Sequence, residues 1–209
     1  MLNAGQALER LREGNRRFAS HQEPTPGLRD AARRAELIAG QEPFAIILGC
    51  SDSRVPAELV FDQGFGDLFV IRVAGNVVAP SQVSSVEFAV SRFGTRLVVV
   101  LGHSRCGAVS ATLEALEDGV THGMHVLQPI VDRIRPSVEP LLTSHQTRSP
   151  ELLLREAIRA SVRQSADHLR NRSELLEQCI KDDGLMVVGA EYSLETGLVD
   201  FFDGTRNSV

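Results

Sequence analysis

Apolar residues along the chain fall into two kinds of pattern. Residues 44–48, 68–73 and 97–101 are almost unbroken apolar runs, and residues 185–190 form a fourth. Strands covered by helices on both faces of a parallel sheet read this way, whereas a half-exposed strand would alternate. Around and between the runs, hydrophobic positions recur at helical spacing over residues 3–19, 28–39, 81–92, 108–117, 126–138, 151–169 and 173–179. Gly40 is a natural stop for the second of these helices. Residues 198–202 alternate weakly, as a short edge strand does, and Pro140 to Pro150, rich in Ser and Thr, reads as a surface loop. The alternation of strand and helix predicts an α/β fold: a mostly parallel central sheet of four strands plus a short edge strand, with helices on both faces and a helical arm at the N-terminus. No internal repeat or linker-like stretch divides the chain, so residues 1–209 are expected to form one domain.

Composition narrows the partners. With 43% hydrophobic and 23% charged residues, the 209-residue chain is that of an ordinary globular protein. A formal net charge of −5 and a pI near 5.7 give no basic surplus to attract phosphate backbones or anionic lipid, so neither nucleic acid nor membrane is expected as a partner. The apolar runs fall far short of the ~20 residues that span a bilayer. Glu9, Arg10, Arg12, Glu13, Arg16 and Arg17 interrupt any signal-like apolar segment near the start, so cytoplasmic residence is the expectation.

Chemistry concentrates at two strand ends. The first run leads into Gly49-Cys50-Ser51-Asp52-Ser53-Arg54 and the third into Gly102-His103-Ser104-Arg105-Cys106-Gly107. Ligand sites of open α/β sheets form just beyond the carboxyl ends of strands, which is where these residues fall. Taken singly, a cysteine after a strand reads as a small buried hydrophobe. Jointly, Cys50, His103 and Cys106 offer two thiolates and an imidazole, a soft donor set that favours one Zn²⁺ over magnesium or calcium. Three strong ligands leave a fourth position for water or for Asp52, the mark of a catalytic rather than a structural zinc site. Cys179 stands apart in a helical pattern, and three cysteines do not make a disulfide framework.

The pairing of Cys50-Ser51-Asp52-Ser53-Arg54 with Gly102-His103-Ser104-Arg105-Cys106-Gly107 resembles the signature of the β-class carbonic anhydrases, and within them the plant-type subclass whose metal site is open. The likeness runs from Gln41 through Leu116, and the Val187-Val188-Gly189-Ala190 strand with Tyr192, Thr196 and Gly197 is similar to the family's C-terminal end. It implies zinc-dependent, reversible hydration of carbon dioxide to bicarbonate and a proton. It also implies an Asp52/Arg54 dyad in which Arg54 keeps Asp52 off the metal and Asp52 accepts a hydrogen bond from the attacking water-derived nucleophile. With the dyad broken, Asp52 becomes the fourth ligand of a closed site.

Further implications follow from the same resemblance. Gln41, Phe69, Phe88 and the Gly107 N–H match substrate-binding positions. Phe88 stands where the plant-type wall has tyrosine, so that hydroxyl is missing. The family shares its active sites across a homodimer, with Gln41, Phe69 and Phe88 reaching over from the second subunit; the resemblance leaves dimer and tetramer both open. Some bacterial members have an inhibitory bicarbonate site that uses a tryptophan; this chain has no Trp, and Ile47 takes the matching position while Arg72 is retained, so that inhibition is expected to be absent or altered. His122 and His125 could titrate near neutrality as proton carriers, although solvated surface histidine is the simpler role. Two rival readings share the ligand set: hydrolysis of carbonyl sulfide or carbon disulfide, and a non-catalytic zinc or thiol sensor with four protein ligands.

Overall fold

The computed structural model describes residues 2–28, 30–118, 127–143 and 149–205. Five strands, β1 (Ala45–Gly49), β2 (Leu68–Arg72), β3 (Leu97–His103), β4 (Met186–Tyr192) and β5 (Val199–Asp203), form a sheet in the order β2-β1-β3-β4-β5. β1 pairs in parallel with β2 and β3, β3 pairs in parallel with β4, and β5 returns antiparallel along β4. The helices are α1 (Ala4–Ala19), α2 (Ala31–Glu36), α3 (Ala57–Val60), α4 (Pro80–Phe93), α5 (Gly107–Asp118), α6 (Gln128–Thr143), α7 (Pro150–Asn171) and α8 (Glu174–Asp182). None of them is long and apolar enough to cross a membrane.

The unbroken apolar runs are explained by burial on both sides. Along β3, Leu97, Val99 and Leu101 face Leu8 and Leu11 of α1 together with Phe61. Val98 and Val100 face the opposite way, against Val86 and Val90 of α4 and Val162 and Leu169 of α7. Successive side chains of a strand point to opposite faces, so a strand covered twice needs an apolar residue at every position. Each such Val or Leu contributes roughly 1.5–3 kcal/mol by leaving water. A third cluster, built from α5, α6 and the first half of α7, closes the carboxyl end of the sheet around Cys50 and Cys106.

Local chemistry sets the helix boundaries. Asn3 and Gln6 form a reciprocal capping box, with Gln6 N donating to Asn3 Oδ1 (2.9 Å) and Asn3 N to Gln6 Oε1 (3.0 Å). Ser149 caps α7, which has Pro150 as its first residue, and Ser173 caps α8. α4 begins at Pro80 and ends on Gly94 in the left-handed conformation.

Two of the expected elements differ from the sequence expectation, and the short helix α3 is not among the expected ones at all. The helix expected over 28–39 is shorter, because the Asp30 side chain accepts from Arg33 N (2.8 Å) and starts α2 at Ala31, after which Leu37–Ala39 tightens to a 3₁₀ turn. The stretch from Pro140, expected as loop, is helical to Thr143: α6 contains both Pro136 and Pro140. An interior proline removes a backbone hydrogen bond. Burial of Val131, Ile134 and Val138 on the inner face outweighs that loss.

Candidate metal centre

The strand order reverses direction at β1, and an open parallel sheet places its ligands in the crevice that opens there, beyond the carboxyl ends of β1 and β3. Cys50 follows the last residue of β1, His103 is the last residue of β3, and Cys106 immediately precedes α5. All three are buried, and their ligand atoms lie within 4.8 Å of one another. A tetrahedral zinc ion with ~2.3 Å bonds to sulfur and ~2.0 Å bonds to nitrogen needs donors about 3.5–3.8 Å apart, which this spacing accommodates.

The imidazole is set up as a ligand. His103 Nδ1 lies 2.9 Å from the Ser104 carbonyl oxygen, which can only accept, so the proton resides on Nδ1. Nε2 is then left with its lone pair, and it is buried with no hydrogen-bond partner among the described residues. A buried acceptor without a partner is costly, and a cation bound between it and the two sulfurs removes that cost. Backbone amides favour the thiolate form of Cys50: Asp52 N and Gly75 N each lie 3.4 Å from its Sγ. A hydrogen bond from Cys106 is the larger influence, and it outweighs the cost of burial to hold the Cys50 thiol well below its ordinary range. The same hydrogen bond, with burial, pushes Cys106 up. Burial disfavours the His103 cation, yet the adjacent Cys50 sulfur shifts its pKa upward on balance. The donor set therefore fits a soft divalent ion such as zinc.

Beside this group stands a carboxylate held elsewhere. Arg54 donates to Asp52 three times, from Nε to Oδ1 (2.9 Å), from Nη2 to Oδ2 (2.7 Å) and from its backbone N to Oδ1 (2.9 Å). Those bonds hold the Asp52 carboxyl well below the usual carboxylate range. Asp52 Oδ2 is 3.9 Å from His103 Nε2, within reach of an ion at the centre of the three donors. The loop bearing Cys50 and Asp52 is tied down by Arg72 at the end of β2, whose Nε donates to the Cys50 carbonyl (3.0 Å) and Nη2 to the Asp52 carbonyl (2.6 Å).

Cys50, Asp52, Arg54, His103 and Cys106 are thus brought together, and Gly107 opens α5 beside them with free space where a Cβ would stand. Gln41, Phe69 and Phe88 are not joined to this group within the chain. Gln41 is exposed, and Phe69, in register with Ile46 on the edge strand β2, packs against Phe88 (6.1 Å) and Phe93 (6.0 Å) in the cluster on the α4 face. His122 and His125 lie outside the described residues. Sequence reasoning missed the anchoring by Arg72 and Gly75, and it missed Glu195, which accepts hydrogen bonds from Ser104 Oγ and Arg105 Nε at 2.7 Å. The register of Arg72 with Gly49 could have flagged the first; nothing local signals the last.

Comparison with known proteins gives one answer. Residues 45–199 match the family model described as carbonic anhydrase. Carbonic anhydrase 2 of Mycobacterium tuberculosis is 40% identical over 191 residues, covering 91% of this chain and 89% of its own length. Among solved structures, a β-carbonic anhydrase of Aspergillus fumigatus superposes with a TM-score of 0.74 at 27% identity, over 84% of this chain and 85% of its own. One of two tetrameric β-carbonic anhydrases of Sordaria macrospora gives 0.70 at 25% identity, over 81% and 85%. A parallel sheet with two sulfurs and an imidazole at its switch point, matched over most of its length by enzymes of one kind, belongs to the β-carbonic anhydrase family.

Proposed function

We propose that this chain catalyses the reversible hydration of carbon dioxide, with one zinc ion per subunit held by Cys50, His103 and Cys106. The observation that carries the reading is the buried Nε2 of His103, which has no hydrogen-bond partner among the described residues and is grouped with two sulfurs, with an Arg54-bound carboxylate alongside. Zinc, when bound, supplies the Lewis acidity that makes water a usable nucleophile near neutral pH.

The chain's own residues do the rest. Because Arg54 occupies its carboxylate, Asp52 stays ionised and would not compete for the zinc that Cys50, His103 and Cys106 would hold, so it remains available to a water molecule. Asp52 accepts a hydrogen bond from that water and turns a lone pair toward the carbon of carbon dioxide. A C–O bond forms as one C=O pair moves onto its oxygen, and one water proton leaves to buffer, giving bicarbonate. The Gly107 N–H, at the start of α5, would donate to the new anion in this reading.

A second copy of the chain completes the pocket in this reading. Phe88 is 53% exposed and Phe69 half-buried on an edge strand, so an aromatic face is left for Gln41, Phe69 and Phe88 to present to a neighbour's site. Homodimers with shared sites follow, and pairing into tetramers has a precedent in the Sordaria enzymes. Three cysteines without a disulfide suit a reducing compartment such as the cytoplasm. The relatives are named carbonic anhydrases, which favours hydration over carbonyl sulfide or carbon disulfide hydrolysis and over a sensor.

Stopped-flow hydration with metal analysis on the same sample tests the proposal. One zinc per subunit is expected, with activity lost on chelation and restored by zinc. A protein that takes up no zinc, or that carries zinc and leaves hydration at the buffer rate, overturns it.

A further inference from the structure

Two of the three ligands, His103 at the end of β3 and Cys106 just before α5, are joined by one short loop, and that loop holds an uncommon backbone. Arg105 has φ +56°, the left-handed region that a residue with a Cβ disfavours. Its side chain is 71% exposed, so packing does not hold it there. Hydrogen bonds do. The Glu195 carboxylate spans the loop, with Oε1 accepting from Arg105 Nε (2.7 Å) and Oε2 from Ser104 Oγ (2.7 Å). Ser104 Oγ in turn accepts from Leu194 N (2.9 Å), and Ser104 N donates to the Tyr192 carbonyl (2.9 Å).

Glu195 is itself fixed in the turn between β4 and β5. Ser193 N donates to the Leu198 carbonyl and Gly197 N to the Ser193 carbonyl, each at 2.9 Å. Asn15 of α1 donates to the Gly197 carbonyl (2.8 Å) and accepts from Val199 N (2.8 Å). The turn is therefore a rigid base from which one carboxylate grips two consecutive loop residues. The grip extends to the dyad, because the Arg105 carbonyl accepts from Arg54 Nη2 at 3.4 Å.

We infer that Glu195 is a positioning residue of the metal site: its carboxylate keeps Arg105 in the left-handed conformation that aims His103 and Cys106 at one ion. The inference rests on the metal-site reading above. An exposed ion pair adds little to global stability, so the consequence falls on metal retention and ligand geometry rather than on unfolding. Ser104 and Arg105 hold the Glu195 carboxyl at about 2, so the clamp persists throughout the neutral range.

The test uses the full chain loaded with zinc or cobalt. It measures the rate of metal release to a chromogenic chelator and, on the cobalt form, the ligand-field and thiolate charge-transfer bands. Glu195→Ala is expected to release metal about 10-fold faster or more and to alter the cobalt spectrum, within the 10–100-fold range typical of residues that orient ligands. Glu195→Gln, which keeps one acceptor oxygen, falls between it and the wild type. Arg105→Ala, which loses the ion pair but keeps a Cβ, behaves like Glu195→Ala. Arg105→Gly, which adopts positive φ freely, releases metal within about twofold of the wild type, alone and combined with Glu195→Ala. Wild-type release and spectrum in Glu195→Ala, or equally fast release from Arg105→Gly and Arg105→Ala, overturns the inference. A wild-type protein that binds neither metal overturns the site reading instead.

Discussion

Gly102 precedes His103 on β3, and its lack of a side chain is a packing requirement that can be worked out in numbers. A Cβ there would lie 2.5 Å from Val162 Cγ2, 3.4 Å from Ile158 Cγ2 and 3.8 Å from the Ala190 carbonyl oxygen. Carbon atoms settle at about 3.5–4.0 Å, so the first contact is short by about 1 Å. Val162 cannot swing away, because a β-branched side chain inside a helix has essentially one χ1 setting and α7 is packed against the sheet. Overpacking of this kind costs about 1–3 kcal/mol, against which the loss of glycine's freedom in the unfolded chain returns about 0.4–1 kcal/mol. For a chain of this size each kcal/mol lowers Tm by roughly 2–4 °C, so Gly102→Ala is expected to melt several degrees lower. Val162→Ala alone removes two buried methyl groups, about 1.6 kcal/mol before any cavity cost. Combined, the new methyl occupies the vacated space, and the double variant should be more stable than the sum of the singles by about 1 kcal/mol or more. Calorimetric melting of the four proteins decides it: an unchanged Tm in Gly102→Ala, or strict additivity, refutes the packing account.

Three other changes probe the arm, an ionised support and the dyad. Asn15→Ala leaves the buried Val60 carbonyl and the half-buried Gly197 carbonyl and Val199 N–H without their partner, and at about 1–3 kcal/mol for a buried unsatisfied group, less for the half-buried ones, the urea midpoint should fall by an amount equivalent to roughly 2 kcal/mol. Burial opposes ionisation of Asp62, but hydrogen bonds from Arg17 and Thr25 outweigh it and hold its carboxyl below the ordinary value. A depressed carboxyl stabilises the fold above the unfolded-state pKa of about 4 and stops doing so as pH falls through the folded value. Asp62→Asn, which tolerates the local φ of +44°, should therefore melt lower than the wild type at pH 7 and converge with it in acid, as followed by Tm against pH. Asp52→Ala should keep its zinc by metal analysis and lose hydration activity by about 10²-fold or more in stopped flow; full activity would remove Asp52 from the reaction.

What could be read from the sequence was what the chain encodes locally. β3 announces itself because every one of its residues is buried, and the candidate metal ligands stand out because His103 and Cys106 share one turn and Cys50 directly follows a strand. Asp52 and Arg54 are two apart in one loop, so their bidentate pairing needed no tertiary information. The failures are equally physical. α6 runs through two prolines because burial of three apolar residues, a tertiary quantity, overrides a local rule. Glu195 and Ser104 are 91 positions apart, and their bond exists only because β4 lies beside β3 in a register that sets Tyr192 against His103.

That register connects the two halves of the site. Reversal of strand order at β1 opens a crevice, but a crevice specifies no ligand angle. The angle comes from loops anchored on both sides of it: Arg72 on the edge strand grips the Cys50–Asp52 loop, and the β4–β5 turn grips the Ser104–Arg105 loop. Arg54 bridges them, bonded to Asp52 of the first loop and to the Arg105 carbonyl of the second. A disturbance of either anchor should therefore reach the dyad as well as the metal, whereas a change on the exposed face of α6 touches neither loop and should leave both alone.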